Sequence, residues 1–461
     1  MDETTWSRQE FGEAKLGDQR RTHRLVAMGA RAAAEPAGNI TAVFSHDAER
    51  EAAFRFVENE VVNGQAITAA AGRAAATRAQ GEAFVFVPVD GSSLNVPDRD
   101  GRKRLGRVGT RKSNAQGLQV MTAIAISPNE TPLGILGQQY WTRSRQGPRK
   151  KDSRHRRRVE DKETVHWLNV MQQAKEAMSA RSPATRVWFQ MDRGADAWPV
   201  LSTVANGEHW LTVRAAWDRR LVTSDESQRY LWETLQQATL HGTYRLEVAA
   251  SGDGKRTART AIMAVRAAEV TLDLICKPSE RHLPTTLWAV WVCENGSCPE
   301  GEPAIEWMLL TNYPIHSLAD AQLVIRGYVQ RWRIEQFHRT WKSGACHVED
   351  TQLEDRDHII TWATLLASVA MRIVRLTYLS RHRPDEPATV ELTRHEVDAA
   401  ILVSESKQFR RGDILTISQA VALIARCGGY VGKSSGGPPG AIVLARGLAK
   451  IQTVAKVLEK L

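Results

Sequence analysis

Apolar residues change their period several times along the chain, and each change marks an element. Up to about residue 80 they recur at helical spacing in Ala-rich sequence. Leu16-Gly-Asp18-Gln-Arg20-Arg21-Thr-His-Arg24-Leu opens a helix with Asp18 as its cap, and this helix stops at Glu35 before Pro36. Further helices fit 47–60 and 65–80. Phe84-Val-Phe-Val-Pro-Val-Asp90 is an apolar run of strand length that ends in an aspartate, followed by the turn formers Gly91-Ser-Ser. Pro88 has no donor, so a central strand here requires a bulge or an unpaired position. Segments 118–126 and 133–141 predict a hairpin, 161–180 a helix, and Arg186-Val-Trp-Phe-Gln-Met-Asp192 a second apolar strand that ends in an aspartate. Arg193-Gly-Ala-Asp196 is expected to open the next helix, and 209–214 to form another strand.

From about 215 to 305 the texture shifts to short alternating segments, at 244–249, 258–265, 270–275 and 286–293, which predict an antiparallel sheet. Trp307-Met-Leu-Leu-Thr311 then resumes an apolar strand. The expected organisation is a helical unit at 1–75, the first part of a core at 76–214, a β-rich insertion at 215–305, the second part of the core at 306–370 and a helical region at 371–461. The fold class is α/β. Strands, then a helix, then a strand ending in a second acid match the order of a ribonuclease-H-like core, here flanked by N-terminal and C-terminal helical domains.

The stretch Tyr328-Val-Gln-Arg331-Trp-Arg-Ile-Glu335-Gln-Phe-His-Arg-Thr-Trp-Lys342 carries the most chemistry. On one continuous helix, at about 100° per residue, Arg331, Glu335 and Lys342 fall about 60°, 20° and 40° to one side of Tyr328. Leu323, Ile334, Phe337 and Trp341 fall on a separate apolar face. A carboxylate among phosphate-gripping groups reads as a metal ligand. Taken alone, the same stripe reads more simply as a solvated face with Arg331 and Glu335 paired four apart, worth a few tenths of a kcal/mol.

The 461 residues suffice for two to four domains, and 42% hydrophobic residues exclude a disordered chain. Lys and Arg outnumber Asp and Glu to give a net charge of +10, which favours a polyanionic partner, most simply nucleic acid. Arg20, Arg21, Arg24, Arg31, Arg50 and Arg55 decorate the N-terminal helices as a charged surface or a DNA-contacting one. Two basic runs, 101–112 and 143–158, read as solvated loops that would neutralise phosphates if a polyanion bound. No run approaches the roughly 18 apolar residues of a spanning helix. The start Met1-Asp-Glu-Thr-Thr lacks the basic-then-apolar pattern of a leader, so a soluble, cytoplasmic protein without a membrane partner is expected. Five cysteines do not make a disulfide framework, and Cys293 and Cys298 lack the second pair of a zinc site.

Asp90 and Asp192 both end apolar strands, and Glu335 comes from a helix that can pack beside that edge. Three carboxylates from separate elements can hold two divalent ions, Mg²⁺ or Mn²⁺, about 3.5 to 4 Å apart at a phosphodiester. Each aspartate alone is more simply a turn or cap residue.

Together these blocks resemble the DDE transposases of bacterial insertion sequences that carry the Tyr-Arg-Glu-Lys signature, the insertion-sequence-four family. The signature Y-x2-R-x3-E-x6-K stands as Tyr328, Arg331, Glu335 and Lys342. Met191-Asp-Arg-Gly-Ala-Asp196 resembles the second-aspartate block, and Val89-Asp-Gly-Ser-Ser-Leu94 the first. Leu16-Gly-Asp-Gln-Arg-Arg, Ala53-Phe-Arg-Phe56 and Ile424-Ala-Arg-Cys-Gly-Gly429 resemble the terminal regions. The resemblance implies a cut-and-paste enzyme, with Asp90, Asp192 and Glu335 as the metal-binding triad. It would act as a homodimer on double-stranded DNA at transposon inverted-repeat ends and on target DNA, through nicking, hairpin formation and strand transfer, in a bacterial cytoplasm at the nucleoid. It implies phosphate contacts for Tyr328, Arg331, Lys342 and Arg214, DNA contacts for Arg20, Arg21, Arg24 and Arg55, and a flipped-base platform at Trp307, which fits a core tryptophan equally well. The alternatives are a non-cutting DNA-binding regulator derived from a transposase and a non-transposing ribonuclease-H-like nuclease.

Overall fold

A computed structural model describes residues 3–98, 100–109, 115–143, 158–223, 230–248, 250, 256–276, 278–296, 298–432 and 438–459. Most of the 143–158 basic run, the end of the 101–112 run and the centre of the Gly-rich stretch 428–440 lie outside these residues.

The chain starts with five helices, α1 (Glu3–Phe11), α2 (Gln19–Ala34), α3 (Ile40–Val43), α4 (Asp47–Val57) and α5 (Gly64–Arg78). Asp18 caps α2 by accepting from the Arg20 N–H at 2.8 Å, and the helix ends just before Pro36, as the sequence requires. Asn63 caps α5 in the same way, through the Ala66 N–H. These helices pack onto the core: Arg78 of α5 is ion-paired with Glu10 of α1 and donates to the Leu133 carbonyl at 2.7 Å. Helix α5 therefore runs across the expected boundary at residue 75.

The first sheet strands are β1 (Phe84–Asn95), β2 (Gly106–Arg107), β3 (Gln116–Ile126) and β4 (Pro132–Trp141). After helix α6 (Thr164–Arg181) come β5 (Arg186–Met191), the short helix α7 (Trp198–Leu201) and β6 (Trp210–Arg214). Antiparallel pairing joins β4, β3 and β1, and parallel pairing joins β1, β5 and β6. The resulting order, β4-β3-β1-β5-β6, with three antiparallel strands followed by two parallel ones, is that of a ribonuclease-H-like core. Pro88 behaves as its missing donor demands. Pairing to β3 holds at Phe86–Ile126, lapses at Val87 and Pro88, and resumes at Val89–Ala123, while pairing to β5 is unbroken.

Helix α8 (Leu231–Gln237) precedes β7 (Leu240–Val248), β8 (Arg259–Cys276), β9 (Arg281–Glu294) and β10 (Glu306–Thr311). The two short strands expected at 258–265 and 270–275 are one strand of 18 residues. The β-rich segment is also continuous with the core, because β10 pairs with both β6 and β9 in one ten-stranded sheet.

The chain then folds into α9 (Leu318–Val329), α10 (Trp332–Lys342), α11 (Arg356–His382), α12 (Arg394–Val403), α13 (Ile417–Cys427) and α14 (Ala441–Glu459). Helix α11 is long and apolar enough to cross a membrane, contrary to the expectation that no such run exists. Its most apolar window is 89% buried in protein, so the core accounts for its composition. The indole N–H groups of Trp341 and Trp362, both fully buried, donate to the Ala363 and Gly38 carbonyls and lock α10 and the N-terminal unit onto α11.

Helix α9 lies on the sheet through Gly327. A Cβ there would fall 2.6 Å from the Phe86 ring and 2.9 Å from the Gln190 amide. Phe86 is fully buried and has nowhere to move. Gly327→Ala gains up to about 1 kcal/mol of helix propensity but overpacks the core at about 1–3 kcal/mol. A net loss of stability is expected in urea unfolding, larger still for Gly327→Val.

Candidate active site at one edge of the sheet

Register places the acids. Val89 pairs with Met191 across β1 and β5, so Asp90 and Asp192 leave two adjacent parallel strands side by side, about 4.8 Å apart at the backbone. Met191 pairs in turn with Val213 of β6, which brings Arg214 next in the row. Strand β10 continues it, because Leu309 pairs with Arg214 and the Glu306 carbonyl accepts from the Arg214 guanidinium at 3.0 Å. The sequence places Asp90 at the end of its strand, and the structure corrects this. The strand runs on to Asn95 against β3 alone, which leaves the β5 side of Asp90 open. Asp192 does end β5; its carboxylate accepts from the Gly194 N–H at 2.8 Å and caps a short 3₁₀ turn instead of a long helix.

The signature is not one helix. It breaks between α9 and α10 at Gln330 and Arg331, where i→i+3 bonds run from Arg331 to Tyr328, from Arg333 to Gln330 and from Ile334 to Arg331. The simpler reading of a solvated face does not describe these residues: Tyr328 and Arg331 are buried. Arg331 donates to Asp90 at 3.0 Å with one terminal nitrogen and to Glu335 at 2.9 Å with the other. Tyr328 packs edge-on against the half-buried Trp307 at 6.1 Å. Burial pushes the Tyr328 phenol above its ordinary pKa, against the pull of the neighbouring Arg331 and Arg214. Lys342, at the end of α10, lies 3.4 Å from the Ser92 hydroxyl and 3.6 Å from Glu349, whose carboxylate also accepts from the Asn95 N–H. The residues 90, 192, 214, 307, 328, 331, 335 and 342 thus gather at one sheet edge.

Three of the four N-terminal arginines expected to contact DNA make contacts within that unit, and the fourth, Arg24, is simply exposed. Arg20 pairs with Asp18 and is 91% exposed, Arg21 donates to the Leu16 carbonyl, and Arg55 pairs with Glu51. Sequence reading missed Asp196, taken for a helix opener. Its fully buried carboxylate accepts from the Ala216 and Trp217 N–H groups and pairs with Arg219, so it fixes the loop that follows Arg214. The only advance signal was a second aspartate four residues after Asp192.

Arg331 bridges two acids while Asp192 adds a third beside them, and the imbalance shows in Asp90. Its pKa is pushed up to about 6, first by burial and then by Asp192, with Arg331 pulling the other way and Glu335 adding to the rise. Arg331 itself is held more firmly protonated: burial opposes its charge, but Asp90 and Glu335 outweigh it. Excess carboxylate charge in a desolvated place, offered by hard oxygen donors, fits a divalent ion such as Mg²⁺ or Mn²⁺ in kind. Among the described residues, no three acid, His or Cys side chains converge as a ready metal cage, and Arg331 bridges two of the candidates.

Fold and site together define a nucleic-acid-processing protein of the ribonuclease-H-like class. Residues 3–62 match the transposase DNA-binding family model, and residues 99–372 match the transposase DDE domain. The second match spans more than half of the chain, so the chain belongs to the DDE transposase family. Domains of this family generally use divalent metals. Asp192 and Glu335 fall inside the matched residues; Asp90 lies before them, and its place rests on strand register.

The raised Asp90 pKa has a sign that can be checked. The folded protein holds this proton up to about pH 6, whereas the unfolded chain releases it near the ordinary carboxyl value of 3.8. The stability it contributes is present below that lower value and is lost as pH rises through about 6. In EDTA, Asp90→Asn is expected to be more stable than the wild type above that range, by a few kcal/mol at about 1.4 kcal/mol per pKa unit. The difference should vanish toward pH 4, as read by urea unfolding across the range.

Proposed function

We propose that this protein is a cut-and-paste transposase of the insertion-sequence-four type, carried by the convergence of Asp90, Asp192, Arg331 and Glu335 at one strand edge. Asp90, Asp192 and Glu335 would hold two Mg²⁺ or Mn²⁺ ions, which when bound activate the attacking oxygen and stabilise the leaving one. The rest belongs to the chain's own side chains. Water attacks a phosphorus at the transposon end, and the P–O bond to the 3′ oxygen breaks, leaving a 3′ hydroxyl. That hydroxyl attacks the opposite strand, forms a hairpin and releases the flanking DNA. A second water opens the hairpin, and the freed 3′ hydroxyl attacks target DNA.

Arg214, Arg331 and Lys342 supply positive charge along the edge, and the Tyr328 phenol adds a donor for a phosphate oxygen. Trp307, packed on Tyr328 yet only partly buried, offers a face on which an extruded base can stack and recover part of its unstacking cost. The N-terminal helices, with Arg20, Arg24 and Arg55 exposed, would bind the inverted repeats, Arg21 would add a contact beside them, and a homodimer would pair the two ends. Action at the nucleoid of a bacterial cytoplasm goes with this reading.

The charge-neutral substitutions Asp192→Asn and Glu335→Gln are expected to abolish nicking of end-containing DNA in Mg²⁺, by a factor on the order of 10³ or more for loss of a metal ligand. Gel-shift binding should persist. A wild-type protein that shifts the DNA and never cuts it would instead be a regulator, and cutting without hairpins would mark a simple nuclease. Trp307→Ala is expected to impair hairpin formation more than the first nick on a denaturing gel, whereas equal loss of both would make the ring purely structural.

A further inference from the structure

We propose that Arg331 is an internal counter-ion that excludes divalent cations from Asp90 and Glu335 until a DNA phosphate takes up its guanidinium, so that metal and DNA bind cooperatively. The inference rests on the reading of Asp90, Asp192 and Glu335 as metal ligands.

The geometry supports it directly. The guanidinium spans two carboxylates from different elements, at 3.0 and 2.9 Å, and its side chain is only 10% exposed. Arg331 occupies one oxygen of each carboxylate, Asp90 Oδ2 and Glu335 Oε1, and so competes with a divalent ion for them. That ion would also face a fixed positive charge at contact distance in a place poor in water, where like charges repel strongly. Holding both cations on these carboxylates at once is therefore disfavoured. Arg331 is not sealed into this arrangement: its Nε is buried and has no hydrogen-bond partner. It also sits where α9 gives way to α10, at a short turn and not mid-helix. An unsatisfied buried donor is a standing cost that a third acceptor would remove. A phosphate presents several acceptor oxygens to the planar fork of an arginine, and the site opens on the edge where DNA would lie. Trp332, 59% exposed with the guanidinium 5.4 Å from its ring, borders the way out.

Linkage then makes the coupling reciprocal: DNA that draws Arg331 away raises metal affinity, and metal raises DNA affinity by the same factor. Without DNA, the acids stay masked.

The test is Mn²⁺ binding followed by electron paramagnetic resonance, in the wild type, Arg331→Ala, Arg331→Lys and Asp192→Asn. Each is titrated alone and with a pre-cut duplex of the element's own end, which offers no scissile bond. Without DNA, Arg331→Ala is expected to bind Mn²⁺ on the order of tenfold tighter than the wild type, within the range usual for coupled sites. The duplex should tighten Mn²⁺ binding to the wild type by a similar factor and leave Arg331→Ala unchanged. Equal or weaker Mn²⁺ binding by Arg331→Ala, with binding lost in Asp192→Asn, overturns the counter-ion and keeps the metal site. Undiminished binding in Asp192→Asn overturns the metal site itself. Should the Ala variant fail to fold, Arg331→Lys decides. Its single ammonium lacks the fork that reaches both carboxylates, so binding tighter than the wild type supports the proposal and equal or weaker binding overturns it.

Discussion

A single guanidinium bridging carboxylates from a strand and a helix is the interaction around which this protein is arranged. Asp90 and Asp192 arrive on adjacent parallel strands and Glu335 on a helix, and Arg331 touches the first and the last. Without that bridge, the burial that already raises the Asp90 pKa would act on an unrelieved cluster of like charges. The bridge requires α10 to stand against the strand edge at a fixed height. That height is set by packing away from the chemistry: Gly327 lets α9 lie close on Phe86, and the Trp341 indole anchors α10 to α11. The site is therefore as precise as the core beneath it.

The helix break follows from the same demand. A continuous helix through 328–342 would put Tyr328, Arg331 and Glu335 on one stripe, but a stripe lies along a single line. The contacts made here go to a strand, a neighbouring helix turn and an aromatic side chain. The tight turn at Gln330–Arg331 lets Arg331 reach Asp90 while Tyr328 packs on Trp307. Burial of Tyr328 and Arg331 converts what would be a surface pair worth a few tenths of a kcal/mol into an interaction whose loss leaves charge stranded in protein.

Much of this was legible beforehand because local rules and the fold agree. Asp18 and Asn63 cap the helices their spacing announces, Pro88 leaves the gap its chemistry dictates, and the apolar runs at Phe84 and Arg186 are neighbouring strands. The acids Asp90, Asp192 and Glu335 share an edge, although Asp90 stands where pairing to β5 stops and not at the end of its strand. Hidden from the sequence was whatever depends on long-range register. Nothing local says that β1 runs past Asp90 to Asn95, that Arg259–Cys276 is one strand, or that the β-rich segment extends the core sheet. Asp196 was misread because a buried aspartate paired with an arginine 23 residues later looks like any helix cap in one dimension.

The site is an exposed sheet edge, and this shape is itself informative. A polar groove of about 1120 Å³ lies between the α4–α5 turn, β4, α6 and the start of α11, and none of the three acids lines it. Small-substrate enzymes bury their ligand in such hollows. A duplex cannot enter one, so the groups that act on it must stand at an open margin. The net charge of +10 draws a polyanion to the protein as a whole but gives no positional information within it. Position comes from the row Asp90, Asp192, Arg214, in which two acids and a base project from consecutive parallel strands at the spacing of a β-sheet. An open edge with excess negative charge would repel the DNA it serves. Arg331 among the acids eases this conflict by offsetting carboxylate charge directly, while Arg214 and Lys342 add positive charge further along the same edge.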